Sequence, residues 1–370
     1  MDDYMNQAEE QVRQADGQTT NKLKFLPASQ LCSAPIRTDW IIKPYLDKNS
    51  LTVLFGEPGS MKTFLAIDQG LSVATNTKWQ GQAIRQCGLV FYIAGEGFSG
   101  ISKRVKAWAI AQQIDLENVP FYVSDRPAQF LDEDSALNVV AGADELRVLH
   151  GDPVLVIVDT LNRNFGPGDE NSTADMTRFV SAIDEHIRTR YGCAVMLVHH
   201  SGLTNTERAR GAGALRGALD WEYRLKKNSN GTKILHCTKA KDHEPPPDIT
   251  FKHEIITIDG WIDPDDNEPI TSLVLRYAEA QAQDQKPLTG ARKIAFDALF
   301  SIGKDYVHID TWRDAAYSAG VSPSPEIKAK QKAFKRAVTD LLVGGHVKTK
   351  DDFYCPNQDR GHRETFRRHF

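Results

Sequence analysis

The stretch GEPGSMKT at residues 56–63 carries the residue types that hold phosphate. The pattern G-x-x-x-x-G-K-[ST] is met at Gly56, Lys62 and Thr63, and Met61 stands where the second glycine belongs. Such a loop works because a tight strand-to-helix turn aims successive backbone N–H groups at phosphate oxygens, at the positive end of the helix dipole. The residues in contact with a nucleotide would be Gly56, Glu57, Pro58, Gly59, Ser60, Met61, Lys62, Thr63 and Phe64. Lys62 would reach the β- and γ-phosphates, and the Thr63 hydroxyl would ligate Mg²⁺. Met61 allows two cases. At a position requiring positive φ, its Cβ costs about 1–2 kcal/mol relative to glycine; at a helical position it costs little.

Further chemistry-bearing residues stand at the ends of apolar runs. VLVIVDTL places Asp159 at the end of a buried strand, with the right chemistry to hold Mg²⁺ through water. YIAGEG places Glu96 just beyond another strand, where a carboxylate polarises an attacking water. VMLVHHSG ends a third strand with His199 and His200; His200 is the better sensor of a γ-phosphate, and His199 supports it from behind. Beyond them, Arg208, Arg210 and Arg216, and then Lys239 and Lys241 two apart on a strand face, are cations able to neutralise phosphate charge from their own or a neighbouring subunit. The competing reading of each is a surface ion pair.

The elements that must position these groups can be read from the hydrophobic pattern. Apolar runs at 51–55, 89–93, 154–158 and 194–198 alternate with helical patterns near 63–75, 98–113, 133–149 and 172–190. Continuous apolar strands separated by helices predict a mostly parallel sheet covered on both faces. From about 220 to 277 the strands follow one another without helices, with a turn at 229–231, and predict an antiparallel flank. Residues 1–22 read as disordered, 23–279 as the α/β core, 280–287 as a linker and 288–370 as a second domain with a basic tail.

That second domain reads as three helices and a hairpin, the order of a winged helix. Lys328, Lys330, Lys332, Lys335 and Arg336 lie on its third helix, and Lys348 and Lys350 on the hairpin. Residues 286–370 hold 16 Lys and Arg against 10 Asp and Glu, although the whole chain carries a net charge of −4. The reading is of contact with duplex phosphates, with subunit contact as the alternative. Five scattered cysteines, without a C-x-x-C pair, read as reduced thiols. The polar, acid-bearing N-terminus and the absence of a long apolar run predict a cytoplasmic protein without membrane partners.

Taken in order, the phosphate loop, Glu96, the VDT aspartate, GDENST at 168–173, HHSG, RGAGALRG and KAKD resemble the RecA-like ATPases, in particular the plasmid and phage branch of RepA hexameric replicative helicases. The resemblance covers roughly residues 36–260. It implies a RecA fold, Mg²⁺-dependent ATP hydrolysis, and a homo-oligomer, by analogy a hexamer, with sites between subunits and single-stranded DNA in the ring. A primase or initiator is the implied partner. By motif, Lys62 and Thr63 take phosphate and metal, Asp159 is the metal-associated acid, Glu96 the catalytic carboxylate and His200 the sensor; Arg210, Arg216, Lys239 and Lys241 are candidates for the cation supplied in trans. Two other readings remain: a RecA-like ATPase that regulates recombination or replication assembly without unwinding, and a DNA-binding regulator with a vestigial core.

Overall fold

The computed structural model describes residues 25–33, 37–95, 97–202, 208–211, 213–228, 230–278, 288–303, 305–343 and 345–357. The chain divides into two compact units, one of residues 1–223 and 237–246, the other of residues 224–236 and 247–370. No helix among the described residues is long and apolar enough to cross a membrane.

The first unit begins with a small ribbon, β1 (Trp40–Ile42) against β2 (Leu46–Asp47). Its Asp47 carboxylate accepts from Trp221 Nε1 at 2.6 Å, and its Tyr45 carbonyl from Tyr223 Oη at 2.8 Å. The sheet then builds from β3 (Leu51–Gly56), β4 (Val90–Ala94), β5 (Phe121–Val123), β6 (Leu155–Asp159) and β7 (Ala194–His200), in the spatial order β3-β7-β6-β4-β5. All four pairings are parallel. β8 (Trp221–Lys227) lies on the free side of β3. β3 and β6 are buried along their whole length, which is why they read as unbroken apolar runs.

Four helices connect these strands: α1 (Lys62–Thr75), α2 (Phe98–Gln112), α3 (Glu133–His150) and α4 (Thr173–Ile183). α1 lies so close to the sheet that a Cβ on Gly70 would stand 2.8 Å from Ile157 Cδ1 and 2.9 Å from Phe121 Cε2. Asp132 caps α3 by accepting from Ser135 N at 2.8 Å, an arrangement that contributes about 1 kcal/mol. α4 turns Met176, Phe179, Val180 and Ile183 into a core shared with Leu51, Val53, Phe55, Val156, Val158, Val195 and Leu197. It continues through a π-turn, Asp184–Arg188, to Tyr191, so the helical pattern at 172–190 is one interrupted element. β5, the β1–β2 ribbon and the short α5 (Gly213–Ala218) are elements that the sequence reading lacks.

In the second unit the start of β9 (Lys233–Ala240, of which Cys237 onward belongs to the first unit), β10 (Ile249–Ile262) and β11 (Pro269–Ala278) run antiparallel, and β10 and β11 form a long hairpin. After residues 279–287, which lie outside the described set together with the predicted linker, come α6 (Gly290–Ile302), α7 (Ile309–Ser318) and α8 (Ile327–Val343). β12 (Val307–His308), β13 (Val347–Lys350) and β14 (Phe353–Pro356) make a separate antiparallel sheet in the order β12-β14-β13. Leu299, Trp312, Phe334, Ala337 and Leu341 form its core with Val347, and Trp312 Nε1 donates to Ala295 O at 2.7 Å.

Candidate nucleotide site

Four strand ends of the first unit meet along one edge of the sheet. Register pairs Gly56 with His200, Val198 with Asp159 and Asp159 with Ala94, so the start of the GEPGSMKT loop, the end of β7, Asp159 and the end of β4 stand side by side. The carboxyl end of a parallel sheet is where α/β folds gather ligands, because the following helices present their N-termini there.

The loop runs from Gly56 to the first turn of α1. Lys62 is buried, with 6% of its surface exposed, and its Nζ donates to Gly56 O at 2.9 Å and Glu57 O at 3.0 Å. Gly59 has φ +74° and Met61 has φ 74° and ψ 27°. Met61 therefore occupies the left-handed region, the first of the two cases the sequence allows, at about 1–2 kcal/mol over glycine. Replacing Met61 with glycine removes that strain but admits more unfolded freedom, about 0.5–1 kcal/mol. The expected outcome is a chain stabilised by about 1 kcal/mol or less in thermal melts, with ATP affinity changed by less than about tenfold. A larger gain in affinity would show that the loop is held away from its binding conformation. The Ser60 hydroxyl, in the same turn, is buried without a hydrogen-bond partner among the described residues.

Asp159 is the buried acid of the site. Tyr92 Oη, from β4, donates a short hydrogen bond to Asp159 Oδ2, and the Thr63 side chain bonds the same carboxylate. Burial pushes the Asp159 carboxyl up, against the hydrogen bonds from Tyr92 and Thr63 and the charges of Arg104 and Lys62, which pull it down. The residues fit a divalent cation: a buried carboxylate only partly compensated by protein cations, and a threonine hydroxyl already joined to it. Among the described residues no group of three or more His, Cys, Asp or Glu could hold a metal. A nucleotide-borne cation does not need one, since phosphates and water supply most of its ligands.

Arg104 is a residue that the sequence reading misses. It projects from α2 with its guanidinium 4.6 Å from the centre of the Phe64 ring, near enough to Asp159 to favour its ionised form. Its signal is faint, because one arginine in a helix with Lys103 and Lys106 looks like surface charge.

Glu96 lies outside the described residues; its neighbour Gly95 is closely packed. Gly95 N donates to Asp159 O at 2.6 Å. A Cβ there would collide with the Arg163 Cβ and come within 3.0 Å of Asn164 Nδ2 and 3.1 Å of Asp159 O. Asn164 is itself fully buried, accepting from Ala128 N at 2.8 Å and donating to Thr160 O at 2.9 Å.

The two histidines differ. His199 is fully buried, with its Nε2 2.9 Å from Arg210 O, and its pKa is held down at about 4, chiefly by burial. His200 is half-buried and stands in register with Gly56. A neutral buried histidine makes folding pH-dependent. His199 titrates near 6.5 when unfolded and near 4 when folded, so its contribution is complete above pH 6.5 and is lost as pH falls towards 4. The loss amounts to about 3 kcal/mol. Urea unfolding at pH 7 and pH 4.5 should show a drop that is smaller by that amount in His199→Gln.

Beyond His200 the chain turns back on itself. Ser201 bridges Ala209 antiparallel, Gly202 N donates to Arg208 O at 3.0 Å, and Arg210 N donates to His200 O at 2.9 Å. Residues 203–207 lie outside the described set, so the predicted loop 201–210 is described only at its two ends. Arg210 Nε meets the buried Glu170 Oε1 at 2.6 Å, and Glu170 Oε2 accepts from Asn162 Nδ2 at 2.9 Å. Glu170, in GDENST, thus joins the Asp159 loop to the returning end of that segment.

Arg216, Lys239 and Lys241 are likewise engaged within the chain. Arg216 Nε lies 3.1 Å from the buried Glu222 Oε2. Lys239 Nζ donates to Arg216 O at 2.6 Å and Leu219 O at 2.7 Å, at the C-terminal end of α5, where a cation suits the helix dipole. Lys241 Nζ lies 3.3 Å from Asp220 Oδ1.

Comparison with known families agrees with this geometry: the family described as AAA domain matches residues 18–205, a little over half of the chain. The chain belongs to that AAA domain family. No curated protein matches it. An AAA domain of this kind is a P-loop ATPase with a RecA-like fold, and the matched span holds Lys62, Thr63, Glu96, Asp159 and His200. In this AAA domain the family match covers the parallel strands β3 to β7 and ends five residues past His200, before Arg210, Arg216, Lys239 and Lys241.

Proposed function

We propose that the protein is a Mg²⁺-dependent ATPase that works as an oligomeric RecA-like motor on DNA, a replicative helicase of a mobile element similar to the RepA branch. The observation that carries the reading is the convergence of Lys62, Thr63 and Asp159 on one sheet edge, beside His200, from which the chain leaves at Ser201 and to which it returns at Ala209 and Arg210. In this reading Lys62 and the loop N–H groups bind the β- and γ-phosphates. Thr63 and Asp159 would hold Mg²⁺, which when bound neutralises charge on those phosphates. Glu96 orients the attacking water and takes its proton. His200, beside the phosphate loop, senses the γ-phosphate and passes its loss to the polar segment 201–210, which touches single-stranded DNA in the channel of a hexamer. Arg210 is the cation proposed to act in trans, leaving its pair with Glu170 to do so. It is partly exposed, and its partner Glu170 is tied to the Asp159 loop.

A second reading has one observation in its favour. Arg210, Arg216, Lys239 and Lys241 are all paired within the same chain, which suits an ATPase that switches assembly without unwinding. Forked DNA separates the two. Strand displacement that requires ATP and is lost in Arg210→Ala supports the helicase. Hydrolysis stimulated by single strands, with no displacement on forks of either polarity, removes it and leaves the switch.

A further inference from the structure

The second unit carries a charge arrangement that works against its own helix. Along α8, Lys328, Lys332, Lys335 and Arg336 are all exposed, spaced by three, four, seven and eight residues so that they share one face. None of the four has a carboxylate partner among the described residues. Like charges at these spacings repel, and three of the helix's lysines sit in its first half, near the positive end of the dipole. The first turn has no acid and the last no base; the acid nearest the positive end is Glu326, just before the helix, whose carbonyl accepts from Lys330 N at 3.1 Å. Lys348 and Lys350 of the neighbouring β13 are exposed as well, and Phe353 at the start of β14 is 45% exposed.

The opposite face of α8 is already spent. Phe334, Ala337, Val338 and Leu341 are buried against α6 and α7, so the helix has no apolar face left to enter a bilayer. The cationic face lacks the aromatic or aliphatic anchors that carry protein interfaces; between Lys328 and Thr339 its exposed residues are Gln331, the four cations and Thr339. What remains is a rod-shaped, regularly spaced positive surface whose repulsion a polyanion of matching geometry would relieve.

We propose that α8, with the β13–β14 hairpin beside it, is a binding surface for duplex DNA, which it holds through backbone phosphates and without strong base preference. An α-helix about 10–12 Å wide fits the major groove of B-DNA, about 12 Å wide. The deep, narrow major groove of A-form RNA does not admit it. Lysines predominate over the Arg, Asn and Gln pairs that read base edges, which places the contacts on phosphate. The surface belongs to a unit with its own core and does not depend on the ATPase reading.

The test uses the full chain without nucleotide, titrated against fluorescent mixed-sequence duplex DNA from about 50 to 200 mM salt, with duplex RNA and an acidic polypeptide as comparison probes. Lys332→Ala/Lys335→Ala should bind duplex DNA at least about tenfold more weakly and lower the log–log salt slope by about 2. Its basal ATPase should be unchanged, and its melting no lower than that of the native chain, because the substitution removes repulsion. Affinity and salt slope unchanged in the variant would overturn the proposal, as would equal binding to duplex RNA, preference for the acidic polypeptide, or a clear drop in melting temperature.

Discussion

Lys62→Ala should reduce ATP hydrolysis by at least about 10²–10³-fold, the usual cost of removing one preorganised donor from developing phosphate charge. The structure states why alanine cannot be rescued by a neighbour. Lys62 is buried, and its ammonium is the group bound to the loop carbonyls of Gly56 and Glu57. The other nearby cation, Arg104, is stacked over Phe64 on a different helix. Removing the ammonium takes one of two donors from each carbonyl, since Gly56 O also accepts from Ser201 N at 3.1 Å and Glu57 O from Ser60 N at 3.1 Å, so only a small loss of stability, about 1 kcal/mol, should accompany the loss of activity. Lys62→Met keeps most of the stem and separates the two effects. It should restore part of the stability in urea unfolding while hydrolysis stays low. Native-like turnover in either variant would place the phosphate site elsewhere.

Gly95→Ala is the second large effect, and it acts at a residue that performs no chemistry. Its Cβ would press on the Cβ of the exposed Arg163, on the buried Asn164 amide and on the Asp159 carbonyl, and because the tightest of these contacts is to a Cβ next to the backbone, the strain cannot be relieved by swinging the end of one flexible side chain. Overpacking of this kind costs about 1–3 kcal/mol. The same displacement moves the ends of β4 and β6 apart, where Gly95 N meets Asp159 O, and a misplacement of about 1 Å costs on the order of 10²-fold in rate. Thermal melting and ATPase rate, measured on the same preparation, should both fall. The rate should fall by more than the folded fraction does. A variant that melts earlier yet keeps its native rate per folded molecule would show that the Gly95 contact does not position the site.

Much of the sheet edge was legible because the strands that build it are buried on both faces. Unbroken apolar runs announced β3, β4, β6 and β7, and their ends located Lys62, Asp159 and His200 beside one another. β5 escaped because Phe121–Val123 is three half-buried residues, too short for a period. The ribbon β1–β2 escaped because its register depends on Asp47 and Tyr45 meeting Trp221 and Tyr223, far along the chain. Met61 could not be resolved from sequence, since only backbone geometry tells a left-handed residue from a helical one. The roles of Glu170, Asn164 and Arg104 were hidden for a related reason. Each acts through a long-range partner, and nothing in GDENST distinguishes the glutamate that meets Arg210 from its acidic neighbour Asp169.

The measurement that bears most directly on the account is the Mg²⁺-dependent ATPase rate of the native chain, with and without single-stranded DNA, beside Glu96→Gln. The account predicts turnover that rises with DNA, and a Glu96→Gln chain that binds ATP as the native one does but hydrolyses it about 10²–10⁴-fold more slowly. Hydrolysis at the native rate in Glu96→Gln, or a native chain that binds ATP and never turns it over, would contradict it.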